Sequence, residues 1–298
     1  MEQQNREILG LVVVIFVISA IVVTIYLYLN RDETTGVDRG EPVPAESMDQ
    51  TPAEDEKIIR NPLPAIPDEE EVATETEETE TTEQGTGSVV EDLPEPAGEP
   101  AEPPQDPEQR RKSLNEALAE LLADQFEKLF IPQGLVRHFV VTIDNMTREK
   151  LPQKFKFTQS PPGKFRVQGK DTGDMYMDPA NYDRYNAFVA LADRVDSEKL
   201  VGIYVRYYPL FQGTYEDIGY PNRYFNDRLV EVIDHLLETP RVEGKIALER
   251  PKVFYTFADP RLEALSAGQK ILIRIGPQNA EKVRARLREL RRLLTSGN

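Results

Sequence analysis

The chain has 298 residues, with 36 Lys+Arg against 52 Asp+Glu, a formal charge of −16, no cysteine, no tryptophan and two histidines. That composition excludes disulfide frameworks, thiolate metal sites, iron–sulfur clusters, c-type haem and cysteine nucleophiles. A two-histidine metal site would have to join His138 to His235, 97 positions apart. No metal and no other cofactor is expected.

The average charge conceals three segments. After a short tail (1–7), residues 8–29 carry no charged side chain. A helix of that length rises about 33 Å, enough to cross a hydrocarbon core of roughly 30 Å. The alternative is a cleaved signal peptide, but the apolar run exceeds a usual signal core and no A-x-A site follows it. Residues 8–29 are therefore expected to enter the lipid bilayer as one transmembrane helix, with Tyr26 and Tyr28 at one interface. Arg6 precedes the span and Arg31 follows it, so basic residues hardly set orientation. The basic-poor stretch beyond Arg31 favours an exported C-terminus and a cytoplasmic N-terminus.

Residues 30–107 read as a linker. Positions 32–107 hold 24 acids against Arg39, Lys57 and Arg60, together with 12 of the 23 prolines. Such a chain buries too little apolar surface to offset backbone ordering, so a disordered acidic, Pro-rich tether is expected. Its root-mean-square reach would be about 45–50 Å. An acidic docking arm is the sharper alternative.

Residues 108–298 carry a small positive balance and 21 of the 24 aromatics. They form the expected globular domain, mainly α with a small β element (α+β). Asp106-Pro107 starts a helix over about 108–129. Leu135, Val136, Phe139, Val140 and Ile143 mark a second over about 133–146. Phe165–Gln168 and Met175–Met177 read as short strands. Asp178-Pro179 opens a helix lined by Tyr182, Tyr185, Phe188, Val189 and Ala192. Asp196 opens the next, kinked near Arg206–Pro209. Asn226 is the expected cap of a helix that Pro240 stops. A strand pair, Lys245–Leu248 and Val253–Phe257, precedes a helix begun by Asp259-Pro260. Gly276-Pro277 begins the last helix, with Ala280, Val283, Leu287, Leu290 and Leu294 as its buried stripe.

Several blocks taken together resemble a bacterial domain-of-unknown-function family, number 3014. They are His138–Asn145, Asp178–Tyr185, Tyr207-Tyr208-Pro209-Leu210, Tyr215–Pro221, Asp227-Arg228-Leu229, Ile233–Leu237 and Phe257–Lys270. The resemblance covers about 110–292. It implies one N-terminal anchor, a Pro-rich tether and one exported domain, hence an inner-membrane protein with a periplasmic head, and no known reaction. A Pro-Leu-Pro element usually lies close before the first helix in this family. Here Leu63-Pro64 is separated from that helix by over 40 residues, so it is either a spacer remnant or is replaced by Leu93-Pro94.

No catalytic group stands out. Half of the aromatics fall within Tyr176–Phe225, most of them tyrosines. They read either as a helix-packing core or as a surface for peptide or glycan. Tyr182, Tyr185, Arg206, Tyr208 and Tyr220 are the expected exposed binding subset, near helix ends or off the buried stripes. His235 beside Asp234 reads as structural, because adjacent helical residues do not face each other; His138 is similar. Glu216, Asp217, Asp227 and Glu231 are the carboxylates that would serve a wall hydrolase. The last helix carries Lys282, Arg284, Arg286, Arg288, Arg291 and Arg292. These form a solvated face or make weak intramolecular contact with the acidic linker. No Walker loop or dinucleotide fingerprint occurs, and an exported domain is not expected to bind nucleic acid. The leading functional expectation is an anchored domain that binds another envelope component, a protein or a cell-wall glycan or peptide. A carboxylate-dependent hydrolase and a structural oligomer are the alternatives.

Overall fold

A computed structural model describes residues 59–64, 104–155, 157–169, 174–251 and 254–296. The expected span 8–29 and most of the acidic linker lie outside them. Among the described residues, no helix is long and apolar enough to cross a membrane.

Helix α1 (Pro107–Leu122) starts as its sequence dictates. The Asp106 carboxylate accepts from the Gln109 amide at 2.9 Å, and Pro107 occupies a position whose missing N–H costs nothing. The expected single helix over 108–129 divides at Ala123, whose φ of 45° no α-helix accommodates; α2 (Gln125–Leu129) follows. Helix α3 (Leu135–Asn145) buries Val136, Phe139, Val140, Val141 and Ile143, so it is apolar around most of its circumference and runs through the centre. Phe139 makes edge-on contacts with Phe157, Phe211 and Phe225 at centroid separations of 6.2, 5.7 and 6.0 Å, which ties three later segments to it.

The β element is a four-stranded antiparallel sheet in sequence order: β1 (Val167–Gln168), β2 (Met175–Met177), β3 (Ala247–Glu249) and β4 (Thr256–Phe257). Met175 pairs with Leu248 and Leu248 with Phe257. All four expected strands are present, each shorter than its sequence run except β2. Between β2 and β3 the chain inserts a 3-10 helix (Pro179–Tyr185) and four α-helices: α4 (Asn186–Arg194), α5 (Ser197–Arg206), α6 (Tyr208–Asp217) and α7 (Phe225–Leu237). The Pro209 kink is a full break: α5 ends at Arg206, and Tyr207 is the junction.

Asn226 does not cap α7. The helix begins one residue earlier, at Phe225. Its first amides are capped from α6 instead, Phe225 donating to Gln212 Oε1 at 2.8 Å and Asn226 to the Tyr208 hydroxyl at 3.3 Å. The expected single helix after Asp259-Pro260 is two, α8 (Pro260–Glu263) and α9 (Ala267–Arg274), because Ser266 and Gln269 form a capping box that starts a new helix.

Helix α10 (Pro277–Leu294) closes the fold against α4, α5 and α7. Its stripe Ala280, Val283, Leu287, Leu290 and Leu294 is buried as expected. Each of the larger side chains contributes about 1.5–3 kcal/mol by removal from water, an upper bound. Its cations are mostly engaged within the domain. Lys282 pairs with Asp193 at 3.2 Å, Arg284 donates to the Thr239 carbonyl at 3.1 Å, Arg286 reaches the Asp193 carbonyl, and Arg291 holds Asp234.

One part of the linker departs from the expectation of disorder. Ile59–Pro64 lies against the N-terminus of α7, with Leu63 packed on the core and Pro64 buried. The reason is local: an aliphatic residue between two φ-restricted prolines presents a stiff apolar ridge inside an otherwise acidic stretch.

Candidate functional site

The five residues expected to form an exposed subset separate. Tyr185 is 1% exposed and sits in the main core, and Tyr208 is buried; for these two the expectation of exposure is overturned. Their positions near helix ends bring them inward because those ends meet other helices. Tyr208 donates to Gln212 Oε1 at 2.7 Å, and burial pushes its hydroxyl up to about 12. Arg206 is half-buried at the end of α5, its guanidinium 5.9 Å from the ring centroid of Tyr207. Tyr220 stacks on Tyr215 at 4.6 Å and donates to Asp144 Oδ2 at 3.3 Å. Tyr182 stands apart from the other four, on a cleft.

That cleft has a volume of about 490 Å³ and lies between the 3-10 helix, the 240–246 segment, α9 and α10. Ile246, Leu272, Ile273 and Ala280 supply its apolar floor, Tyr182 one wall, and Arg241 and Glu281 a charged rim above the buried Arg284. Gly276 positions the wall. Its φ is 89°, and any Cβ there would collide with the Tyr182 ring. Asn279 Nδ2 donates to the Tyr182 carbonyl at 3.2 Å. On the rim, Arg241 grips Glu281 with two bonds of 2.9 and 3.2 Å, and Arg284 adds a third of 2.8 Å. The Arg241 hydrogen bonds hold the Glu281 carboxyl below its usual range. Two guanidiniums share one carboxylate, so the pairing retains one positive charge. An amphiphilic ligand fits this chemistry: apolar or ring surface against the floor and Tyr182, polar groups at the rim.

A second built surface surrounds Asn226 and Asp227. The Asp227 carboxylate accepts from the backbone amides of Arg60 at 3.2 Å and Asn61 at 2.6 Å, and from Asn61 Nδ2 at 3.0 Å. Asn226, 1% exposed, donates from Nδ2 to the Asn61 carbonyl at 3.0 Å and toward the Leu294 carbonyl at 3.4 Å. Its Oδ1 accepts from the Tyr204 hydroxyl at 3.2 Å. Sequence reasoning placed Asn226 as a cap and Asp227 among hydrolase acids. Leu63 between two prolines was the only available signal of the contact.

Two of the other candidate acids are engaged within the domain. Glu216 accepts from Gln212 Nε2 at 2.8 Å, and Glu231 pairs with Arg228 at 2.7 Å. His235 Nε2 lies 2.8 Å from the Ser266 hydroxyl, joining α7 to the start of α9. Asp144 was overlooked. It is a buried carboxylate at the end of α3, 3.3 Å from Arg228 Nε. A charged residue directly after the apolar run Val140–Ile143 was its signal in the sequence. Among the described residues no group of three or more acids or histidines is placed to hold a metal ion.

A family model described as Protein of unknown function (DUF3014) matches residues 135–291. The chain belongs to this family. The DUF3014 match runs from the first residue of α3 into the last turn of α10. It contains the Tyr182 cleft, Asn226 and Asp227, whereas α1, α2 and the docked segment Ile59–Pro64 lie outside it. No curated protein and no solved structure matches.

Proposed function

We propose that this DUF3014 protein is a single-pass, membrane-anchored envelope protein whose exported head binds another envelope component in the Tyr182 cleft. Residues 8–29 anchor it in the inner membrane, the N-terminus is cytoplasmic and the domain is periplasmic. The bound component is a protein or a cell-wall glycan or peptide. The observation that carries this reading is the cleft itself, about 490 Å³, with an apolar floor, one tyrosine wall and a rim of paired charges. Tyrosine and arginine beside a desolvated floor are the side chains that contribute most per contact at binding surfaces. Glu281, the acid tied to the rim, is held ionised by Arg241, which suits recognition better than proton donation.

The test uses the full chain in detergent, incubated with envelope extract and with purified wall fragments. A component retained by the native chain and by Arg288→Ala, but lost with Tyr182→Ala, supports the proposal. Retention that is unaffected by Tyr182→Ala, or no retention, contradicts it.

A further inference from the structure

The contact between Ile59–Pro64 and α7 has the features of a peptide complex. Two consecutive backbone amides and one side-chain amide converge on a single carboxylate, and a buried asparagine amide takes the carbonyl of Asn61 that follows them. Such charge-assisted bonds to main-chain groups are roughly twice as strong as neutral ones. Leu63 packs on the core and Pro64 is buried, so main-chain bonds fix the register while side chains supply selectivity. Prolines at 62 and 64 lower the entropy lost when the segment docks. The seat is itself preorganised. Asn226 is held by Tyr204 and the end of α10, and the α7 amides are capped by Tyr208 and Gln212 rather than by the segment. Asn226 and the first α7 amides therefore keep partners of their own without the occupant, while Asp227 takes its hydrogen bonds from the occupant. Residues 65–106, 42 positions, join the occupant to α1.

We propose that the Asn226–Asp227 seat is a sequence-specific peptide-recognition site, with the chain's own Arg60-Asn61-Pro62-Leu63-Pro64 as its ligand, exchangeable for the same peptide supplied in trans. The proposal does not involve the Tyr182 cleft, and either can fail without the other. A ligand joined to its site through a chain of this length competes at an effective concentration on the order of 1 mM. The native seat is therefore mostly occupied from within, and an external peptide meets a correspondingly weakened site.

The experiment uses a labelled peptide with the sequence of residues 57–66 and the full chain in which Asn61→Ala and Leu63→Asp empty the seat. The emptied chain, with a native circular dichroism spectrum, is expected to bind the peptide. The native chain binds it about tenfold or more weakly. Asp227→Asn added to the emptied chain lowers affinity by a further factor of about ten or more, and a peptide carrying the two substitutions does not bind. No binding by the folded, emptied chain at millimolar peptide, or equal binding by native and emptied chains, overturns the proposal. Should the emptied chain not fold, tryptic cleavage between Arg60 and Asn61 in the native chain decides, the peptide then carrying Gln at positions 57 and 60 so that trypsin does not cut it. Excess peptide must accelerate it by displacing the segment, and an unchanged rate overturns the proposal equally.

Discussion

Arg228 on α7 closes over the end of α3. Its Nη2 donates to the Asp144 carbonyl at 2.6 Å and to Thr147 Oγ1 at 2.8 Å, while Nε lies 3.3 Å from the Asp144 carboxylate. The cation thus serves both the carbonyl end of a central helix and a buried carboxylate. Without Arg228, the buried Asp144 carboxylate keeps the more exposed Arg148 at 3.5 Å and the Tyr220 hydroxyl, which offset part of the lost pairing. Arg228→Ala is expected to destabilise the domain by about 3 kcal/mol, and Asp144→Asn by less, because the amide keeps the shape. Urea unfolding measures both, and an Arg228→Ala midpoint equal to the native one rejects this role.

Asn226 is the other node. It joins the docked segment, the last turn of α10 and the Tyr204 hydroxyl. Asn226→Ala strands three polar groups near the core and should cost about 1–3 kcal/mol. Asn61→Ala, at the partly exposed side of the same contact, should cost less than about 1 kcal/mol. Urea midpoints in the reverse order would show that the segment, and not the helix junction, dominates.

Three buried tyrosine hydroxyls make the domain sensitive to alkali. Burial raises Tyr204 and Tyr215 and takes Tyr208 to about 12. The folded state holds these protons more tightly than the unfolded chain. The stability they contribute is complete below pH 10 and is lost as pH rises through the folded value. Absorbance at 295 nm should therefore show a group of the 12 tyrosines ionising only well above pH 10, together with unfolding. Tyr208→Phe should reduce the loss of stability between about pH 10 and 12. Titration of every tyrosine near pH 10 in the folded domain contradicts this.

Gly276→Ala tests the cleft wall. The left-handed φ alone should cost about 1–2 kcal/mol, and the Tyr182 ring must move to admit the methyl group. Thermal unfolding should show the destabilisation, and Tyr182 fluorescence should change with it. An unaltered melting temperature would mean that the backbone and ring relax freely.

Most helices were legible because their starts are written locally. Asp106-Pro107, Asp178-Pro179, Asp196 and Asp259-Pro260 each place a capping carboxylate before the first turn, and the structure uses all four. The stripe of α10 was equally clear. Helix breaks at Ala123 and Ser266 were not, because apolar spacing continues across both and only a left-handed backbone or a reciprocal cap interrupts it. Exposure of individual tyrosines was illegible for a related reason. Tyr185 and Tyr208 lie near helix ends, and which ends meet other helices is a tertiary fact. The Asn226–Asp227 seat was hidden because its two halves are over 160 residues apart. The cleft was hidden because it joins Tyr182 to residues from the 240–244 loop and α10.

The central functional claim is that the Tyr182 cleft meets the ligand. A photo-crosslinking amino acid in place of Tyr182, in the full chain in living cells, tests this most directly, with the same group at the exposed position Arg288 as control. A single dominant adduct at 182, absent at 288 and suppressed by Arg241→Ala on the rim, is the predicted result. No adduct at 182, or the same adducts from both positions, contradicts the account.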